Sequence, residues 1–309
     1  MEKRAIGSLS VSVVGLGCNN FGVRLDQERT TAVVQAALDA GIDFFDTADV
    51  YGGTRSEEFV AKALGSRRKS VIVATKFGIP LDERRPGGAR PEYIRSAVED
   101  SLKRLGTDYI DLYQLHRPDP NVPLADTLGA LAELVRAGKV REIGSSNFSA
   151  EQIREADALA RSAGARFVSV QNEYSLLQRA PEGGVLAECV QRKLGFLPYF
   201  PLASGLLSGK YDKGKPEPSG ARLTGDNNQL RTRFLSDKNV EIAAKLSELV
   251  HSRGRTLLEL AFSWLLAQPA VSSVIAGATS PEQVRQNVAA AGWTLGPDDL
   301  ATIDLIAPR

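Results

Sequence analysis

An acid, a lysine and a histidine each follow one of three consecutive short apolar runs, and a tyrosine comes five residues after the acid. These residues are Asp46, Lys76, His116 and Tyr51. Short apolar runs rich in β-branched residues predict buried strands. In a parallel barrel the carboxyl ends of such strands face the same way, so these four side chains are expected to meet at one rim.

The four residue types suit proton transfer to or from an oxygen atom. A tyrosine ionises near pH 10, and a neighbouring ammonium stabilises the phenolate and lowers that pKa. Lys76 can supply the ammonium, Asp46 can hold Lys76 charged and in place, and His116 can hydrogen-bond a carbonyl oxygen. Together they predict a relay for reducing a carbonyl or oxidising an alcohol, with the hydride coming from a nicotinamide cofactor.

Each of these residues alone has an ordinary structural explanation. Asp46 can cap a turn, Lys76 can be a solvated lysine, Tyr51 can pack in a loop and His116 can be a core histidine. The combination favours a functional interpretation, because strand-end polar residues of a barrel tend to be functional. The other histidine, His251, is expected near the end of a polar-faced helix and has no predicted role.

Composition indicates a globular protein and limits its partners. The 309 residues are 43% hydrophobic and 24% charged, with a net charge of +1, which argues against a nucleic-acid or membrane-surface partner. No apolar stretch approaches the length of a membrane span. Cys18 and Cys189 make neither a disulfide framework nor a metal-ligand spacing. We expect a cytoplasmic protein without a metal, and the sequence leaves its oligomeric state open.

Strand-like runs alternate with helical patterns along the whole chain, which predicts an α/β fold with a parallel sheet. The predicted strands are Val13–Gly17, Ile42–Asp46, Val71–Thr75, Ile110–Leu115, Val140–Ser145, Phe167–Val170, Phe196–Tyr199 and Val271–Ile275. Eight units indicate a closed (β/α)8 TIM barrel that occupies residues 1–309 as a single domain. An N-terminal β-hairpin is expected from Lys3 to Val13, turning near Gly7.

Local signals indicate where several helices begin and end. Asp26 is predicted to cap a helix that runs to Gly41. Thr54 with Glu57 is predicted to form a capping box. A second box is expected at residues 280–283, with proline at the first helical position.

One connection, Gly205–Asp237, is too long for a simple loop and is rich in Gly, Pro, Lys, Arg and Asn. A connection of this kind is usually a functional flap or a disordered segment. Helices are expected after it at Lys238–Ser252 and Thr256–Ala267, followed by Pro297–Ile306. Two of these helices are extra to the basic repeat.

Other strand ends carry groups suited to binding the cofactor. The amides of Asn147 and Gln171 can hold a carboxamide, and the ring of Tyr199 can stack on another flat ring. Residues 277–280 lead into a helix N-terminus that would attract a phosphate. Glu282, in the first turn of that helix, would repel a second phosphate nearby.

Taken together, these motifs resemble the aldo-keto reductase superfamily over the whole chain. The motifs that carry the resemblance lie at residues 41–52, 74–78, 111–116, 143–148, 171–175, 201–211 and 277–287. They are most similar to the bacterial and potassium-channel-β-subunit-like branch. The resemblance implies a (β/α)8 barrel whose base is plugged by the N-terminal hairpin, with NADPH extended across the C-terminal rim.

The resemblance also implies a role for each site residue. Tyr51 would be the general acid, Lys76 the group that lowers its pKa, Asp46 the partner of Lys76, and His116 the residue that orients the carbonyl. The residues implied to bind the cofactor are Asp46, Ser146, Asn147, Gln171 and Tyr199 around the nicotinamide, Leu202, Ser204, Lys210 and Arg222 on the pyrophosphate and flap side, and Gly277, Thr279, Gln283, Gln286 and Asn287 around the adenosine.

Two features depart from the family pattern. Phe200 stands where a small hydroxyl residue usually follows the stacking aromatic, and Gly277 and Gln283 stand where strongly NADPH-selective members have Lys and Arg. The expected cofactor is NADPH, with NADH possible. Arg222 and two further flap arginines, at positions 231 and 233, could replace the missing charges.

The resemblance implies NADPH-dependent reduction of small aldehydes or ketones to alcohols, by an oxidoreductase acting on CH–OH donors. The expected partner is therefore a small carbonyl compound. One alternative is an NAD-dependent aldose or sugar dehydrogenase that runs in the oxidising direction. Another is a redox-sensing binding module with slow turnover.

Overall fold

The computed structural model describes residues 1–211, 220–224 and 229–309. Its strands are β1 (Lys3–Ile6), β2 (Leu9–Ser12), β3 (Val14–Gly17), β4 (Phe44–Asp46), β5 (Ile72–Phe77), β6 (Ile110–Leu115), β7 (Val140–Ser146), β8 (Phe167–Glu173), β9 (Gly195–Tyr199) and β10 (Val274–Gly277). β1 and β2 form an antiparallel hairpin. The other strands form one eight-stranded parallel sheet in the order β10-β3-β4-β5-β6-β7-β8-β9.

Backbone hydrogen bonds join β9, at one edge of this sheet, to the segment that leads into β10 at the other edge. The Phe196 N–H donates to the Ala270 carbonyl at 2.7 Å, and the Ser272 N–H donates to the Phe196 carbonyl at 3.0 Å. These bonds close the sheet, which confirms the predicted (β/α)8 barrel. The predicted eighth strand was placed three residues too early: Val271 forms only an isolated bridge with Phe196, and the strand itself begins at Val274.

Helices surround the barrel. They are α1 (Gln27–Asp39), α2 (Arg55–Leu64), α3 (Pro91–Leu105), α4 (Leu124–Arg136), α5 (Ala150–Ala163), α6 (Val185–Arg192), α7 (Gln229–Phe234), α8 (Asp237–His251), α9 (Leu257–Leu266), α10 (Pro281–Ala289) and α11 (Pro297–Ile306). α8 and α11 are the two extra helices that the sequence predicted, and the short α7 is a third. No sequence signal predicted the short α7, which lies in the predicted flap. None of the described helices has the length and apolar character needed to cross a bilayer.

The hairpin closes one end of the barrel, as the sequence predicted. Alternate residues of a strand point to the same side, so each barrel strand sends every second side chain inward. The inner layer at the closed end consists of Ile6, Leu9 and Val11 from the hairpin and Phe44, Ala74, Leu112, Leu197 and Ile275 from the barrel strands. Phe44, Ala74 and Leu112 are each followed two residues later by a polar residue. These polar residues are Asp46, Lys76 and Gln114, and they therefore also point inward, nearer the open end of the barrel.

One helix-start prediction was wrong. Thr54 has a left-handed backbone with φ of 85° and makes no side-chain cap, because a 3-10 turn over Tyr51–Thr54 runs directly into α2. The Glu57 carboxylate faces the barrel instead, where it accepts hydrogen bonds from Thr75 Oγ1 and Arg104 Nε, both at 2.6 Å.

The second predicted capping box is only half present. Ser280 Oγ accepts from the Gln283 N–H at 3.3 Å, which caps α10. The Gln283 side chain does not return this bond, because its Oε1 accepts from the Thr279 N–H at 2.8 Å.

Position 144 on β7 requires glycine, because side chains of the neighbouring strands approach its backbone closely inside the barrel. A Cβ atom at this position would collide with Ser169 Oγ and would lie 3.1 Å from Gln114 Cγ. The missing side chain therefore leaves room for Gln114 on the neighbouring strand.

We predict that Gly144→Ala destabilises the protein by about 1–3 kcal/mol through overpacking of the barrel interior. Urea unfolding followed by circular dichroism measures the change. Gly129→Ala in α4 is the matched control. No described atom lies within 4 Å of a Cβ built at Gly129, so alanine is expected to stabilise this helix by about 0.5–1 kcal/mol. Equal stability of Gly144→Ala and the native chain would contradict the packing argument.

Candidate active site

Asp46, Lys76 and Tyr51 form a hydrogen-bonded group at the open end of the barrel. Lys76 Nζ donates to Asp46 Oδ2 at 2.6 Å and to the carbonyl of Thr47 at 2.8 Å. It also lies 3.4 Å from the hydroxyl oxygen of Tyr51. The side chain of Lys76 is fully buried. Burial by itself would lower the pKa of Lys76, but the charge of Asp46 and the contact with Tyr51 outweigh it and raise that pKa above its ordinary value.

The second oxygen of Asp46 is held by two amides. Gln171 Nε2 donates to Asp46 Oδ1 at 2.8 Å, and Gln114 Nε2 donates to the same atom at 3.2 Å. The sequence reasoning missed Gln114. The signal for it was strand alternation, since Gln114 lies two residues before His116 and two after the inward-facing Leu112.

His116 lies beside Tyr51, with their ring centroids 5.9 Å apart in an edge-on arrangement. Burial, together with the charges of Lys76 and Arg117, lowers the pKa of His116 to about 2. The imidazole is therefore neutral at physiological pH, with one N–H to donate. Its Nδ1 is buried and has no hydrogen-bond partner among the described residues.

Tyr51 keeps its proton in this environment. Burial raises the pKa of Tyr51 above its ordinary value, and the ammonium of Lys76 opposes that rise. The predicted lowering by Lys76 is thus present as a contribution, but burial outweighs it. The resting group is a neutral phenol beside a positive charge.

The backbone after Tyr51 fixes the direction of the phenol. Gly52 has φ of 63°, and a Cβ on it would lie 2.5 Å from the carbonyl oxygen of Phe21. Only glycine fits this conformation next to the loop after β3. Both the backbone conformation and the lack of space therefore explain why a glycine follows Tyr51.

A groove of about 710 Å³ opens above this group and follows the rim of the barrel. Every residue with a predicted catalytic or cofactor role lines it, except Lys76, which lies behind Tyr51. The lining residues with a predicted role are Asp46, Tyr51, His116, Ser146, Asn147, Gln171, Tyr199, Leu202, Ser204, Lys210, Arg222, Gly277, Thr279, Gln283, Gln286 and Asn287. Residues that the sequence reasoning had not assigned also line it, among them Arg24 and Arg117.

The polar residues on the groove wall near His116 are bonded to one another. Asn147 Nδ2 donates to the His116 carbonyl at 2.9 Å and to Ser146 Oγ at 3.0 Å. Ser146 Oγ in turn donates to the Gln171 carbonyl at 2.7 Å. Tyr199 donates its hydroxyl to Asn147 Oδ1 at 2.8 Å. This network fixes the wall, while the ring of Tyr199 still lines the groove.

The flap side of the groove is cationic. Burial lowers the pKa of Lys210, and the charges of Arg24 and Arg222 lower it further. The pKa of Arg222 is likewise lowered by burial and then by Arg24. All three cations line the same groove, and the charge of Arg24 opposes the protonated forms of the other two. Such a cluster is suited to binding an anion.

Two contacts cross the groove. Arg24 Nη2 donates to the carbonyl of Gly220 at 2.5 Å, and Arg222 Nη1 donates to Asn19 Oδ1 at 3.5 Å. They connect the loop after β3 with the part of the flap that the structure describes. The rest of the predicted Gly205–Asp237 flap, residues 212–219 and 225–228, lies outside the described residues.

Comparison with known proteins identifies the family. The aldo/keto reductase family model matches residues 13–308. This chain belongs to the aldo/keto reductase family. L-glyceraldehyde 3-phosphate reductase of Escherichia coli (strain K12) is 33% identical over 320 residues, covering 98% of this chain and 92% of that protein.

Two other relatives of this aldo/keto reductase show the same extent of similarity. Aldo-keto reductase YhdN of Bacillus subtilis (strain 168) is 36% identical over 319 residues, covering 99% of this chain and 93% of the relative. A probable voltage-gated potassium channel subunit beta of Oryza sativa subsp. japonica is 37% identical over 299 residues, covering 94% and 91% respectively. Both agree with the branch that the sequence motifs resemble.

Aldo/keto reductases generally use NAD(P)H, and the groove of this chain fits such a cofactor. Ser204 Oγ is buried there and has no hydrogen-bond partner within the described part of the chain. Ser204 adopts φ of 56°, a left-handed conformation that is costly for serine and typical of functional loops. An unsatisfied hydroxyl beside a cationic cluster is what a phosphate group requires.

A buried acid lies in the loop between β4 and Tyr51 of this aldo/keto reductase. Asp49 is almost fully buried, and its Oδ1 has no partner among the described residues. Burial, together with the charge of Glu57, raises the pKa of Asp49 from 3.8 to about 7, although the charges of Arg104 and Lys76 oppose the shift. The folded protein therefore favours the protonated form of Asp49.

We predict that Asp49→Asn raises the melting temperature by a few degrees at pH 8, and by less as the pH falls toward 4. A raised pKa in the folded state stabilises the native chain at low pH, and that stabilisation is lost as the pH rises through about 7. The amide of Asp49→Asn cannot ionise, so the variant does not lose this stability as the pH rises. Thermal unfolding at several pH values tests it, with exposed Asp108→Asn as control. A pH-independent difference between Asp49→Asn and the native chain would contradict the titration of Asp49.

Proposed function

We propose that this chain reduces small aldehydes or ketones to alcohols with NADPH, with Tyr51 as the general acid. One observation carries the proposal: a buried ammonium lies 3.4 Å from the Tyr51 hydroxyl and 2.6 Å from the Asp46 carboxylate, and both of these partners line a groove of about 710 Å³. Proton donation from a phenol needs a nearby positive charge to stabilise the phenolate that remains.

The proton transfer follows from these positions. Tyr51 is neutral at rest, so it has a proton to give. When negative charge develops on the substrate oxygen, Tyr51 donates that proton, and the Lys76 ammonium stabilises the phenolate. Asp46 keeps Lys76 charged and directed at Tyr51. When bound, the cofactor supplies the hydride that the substrate carbon receives.

His116 has a separate task in this proposal. Because its imidazole is neutral, it can donate one N–H to the carbonyl oxygen without adding a charge. Its position beside Tyr51 would direct that oxygen toward the phenol. His116 is therefore a binding and orienting group, and Tyr51 is the proton donor.

The groove residues would hold the cofactor in three parts. Gln171, Asn147 and Ser146 form the wall for the nicotinamide carboxamide, and Tyr199 supplies a ring for stacking. The pyrophosphate side would be formed by Leu202, Ser204, Lys210 and Arg222, and by Arg24, which lines the same groove. The adenosine side is formed by Gly277, Thr279, Gln283, Gln286 and Asn287.

The choice of NADPH rests on the cationic cluster. The adenosine side offers uncharged Gly277 and Gln283, and Gln283 Oε1 is already bonded to Thr279. Arg24 and Arg222 are the groups that would supply the missing charge. The name of the Escherichia coli relative, an L-glyceraldehyde 3-phosphate reductase, supports the reducing direction.

We predict that Tyr51→Phe lowers kcat for carbonyl reduction by about 10²–10⁴-fold, the usual contribution of a positioned general acid. The dissociation constant of NADPH, measured by quenching of its fluorescence, should be unchanged within about twofold, because the phenol contributes a proton rather than cofactor binding. Tyr109→Phe, before β6 and outside the groove, is the matched control. Retention of most activity by Tyr51→Phe would overturn the assignment of the proton donor.

We also predict that Arg222→Gln weakens NADPH binding by about 10- to 100-fold, since a charge-assisted hydrogen bond contributes about 1.5–3 kcal/mol. Lys103→Gln, an exposed change on α3, should leave the affinity as it is. Initial rates with NADPH and NADH, in both reaction directions, test the cofactor choice and the sugar-dehydrogenase alternative together. Faster oxidation of sugars with NAD than reduction with NADPH would favour that alternative.

A further inference from the structure

The charges that line the groove are strongly unequal. Asp46 is the only carboxylate among the described lining residues, and Lys76 neutralises it. The lining cations are Arg24, Arg117, Lys210, Arg222 and Arg233. A groove lined by one sign of charge concentrates ligands of the opposite sign. The excess of positive charge is therefore expected to attract an anionic substrate as well as the anionic cofactor.

The cations lie in two separate groups. Arg24, Lys210 and Arg222 act on one another at the flap, where a pyrophosphate would lie. Arg117 belongs to the catalytic end. It directly follows His116, and its charge contributes to the lowered pKa of that histidine. Arg117 therefore remains available for a different anion.

The second cation of the catalytic end is already neutralised. Arg233 pairs with Glu173 at the end of β8. Around it, His116 and Tyr51 are neutral and Asp46 is bonded to Lys76. Arg117 is exposed to the groove and has no hydrogen bond or ion pair with any described residue. The catalytic end thus carries one uncompensated positive charge.

We propose that Arg117 binds an anionic group of the substrate, so that the preferred substrates are short aldehydes or ketones carrying a carboxylate or a phosphate. This inference rests on the reductase function proposed above. Consecutive Cα atoms are about 3.8 Å apart, so a carbonyl held by His116 places nearby substituents within reach of the next side chain. Both anions accept paired hydrogen bonds from a guanidinium, which makes Arg117 a specificity residue.

Matched substrates test the proposal. Succinic semialdehyde is compared with butanal for the carboxylate, and glyceraldehyde 3-phosphate with glyceraldehyde for the phosphate. In the native chain, kcat/KM should be at least about tenfold higher for the anionic member of one pair or both. The pair with the larger ratio identifies which anion is preferred.

Variants of Arg117 assign the preference to this side chain. Arg117→Gln should reduce the anionic-to-neutral ratio of kcat/KM by about 10- to 100-fold, mainly through KM. Arg117→Lys keeps the charge and should restore much of the ratio. Arg161→Gln on α5, outside the groove, removes the same charge and should leave the ratio unchanged. A ratio near one in the native chain, or an equal ratio in Arg117→Gln, would overturn the proposal.

Binding without turnover separates this proposal from the reductase function. Succinate and glycerol 3-phosphate are titrated by calorimetry into the protein with NADP⁺ present. At least one should bind more weakly to Arg117→Gln than to the native chain, by about 10- to 100-fold. If no carbonyl is reduced but this difference holds, the reductase proposal fails and Arg117 remains an anion site. If carbonyls are reduced but neither anion distinguishes the two proteins, only the Arg117 proposal fails.

Discussion

The buried ion pair between Lys76 and Asp46 is the interaction on which the rest of the site depends. Removing two charges from water costs several kcal/mol for each ion, and their attraction offsets this only with good geometry and further hydrogen bonds. Here the 2.6 Å contact is supplemented by the Thr47 carbonyl on the lysine side and by two glutamine amides on the carboxylate side. The barrel interior supplies every one of these partners, so the fold keeps a charge where chemistry needs it.

The ion pair also determines what its neighbours can do. Tyr51 is buried enough to remain protonated, yet it lies against a positive charge that stabilises its anion. His116 is kept neutral by burial and by the same ammonium. Burial thus keeps both groups neutral, and the charge of one lysine acts on both: it favours the anion of Tyr51 and disfavours the cation of His116.

Strand ends were the part of the site that the sequence revealed well, because apolar runs followed by polar residues mark the open rim of a barrel. The barrel was predicted from the alternation of eight strand-like runs with helical patterns, and the hairpin from the segment that turns near Gly7. Gln114 was missed because an amide inside an apolar run has no local signal unless strand alternation is followed. The Thr54 prediction failed because the spacing of a capping box cannot reveal that Glu57 is needed by Thr75 and Arg104. Contacts across the groove depend on tertiary structure and had no sequence signal.

The close fit at Gly144 limits how this enzyme can change over evolutionary time. Its neighbours Gln114 and Ser169 already fill the space that a side chain would take, and Gln114 supports Asp46. Substitutions inside the barrel would therefore disturb the carboxylate, whatever compound the enzyme acts on. New preferences should instead arise in the rim loops, where residues such as Arg117 can be exchanged while Lys76 and Asp46 keep their positions.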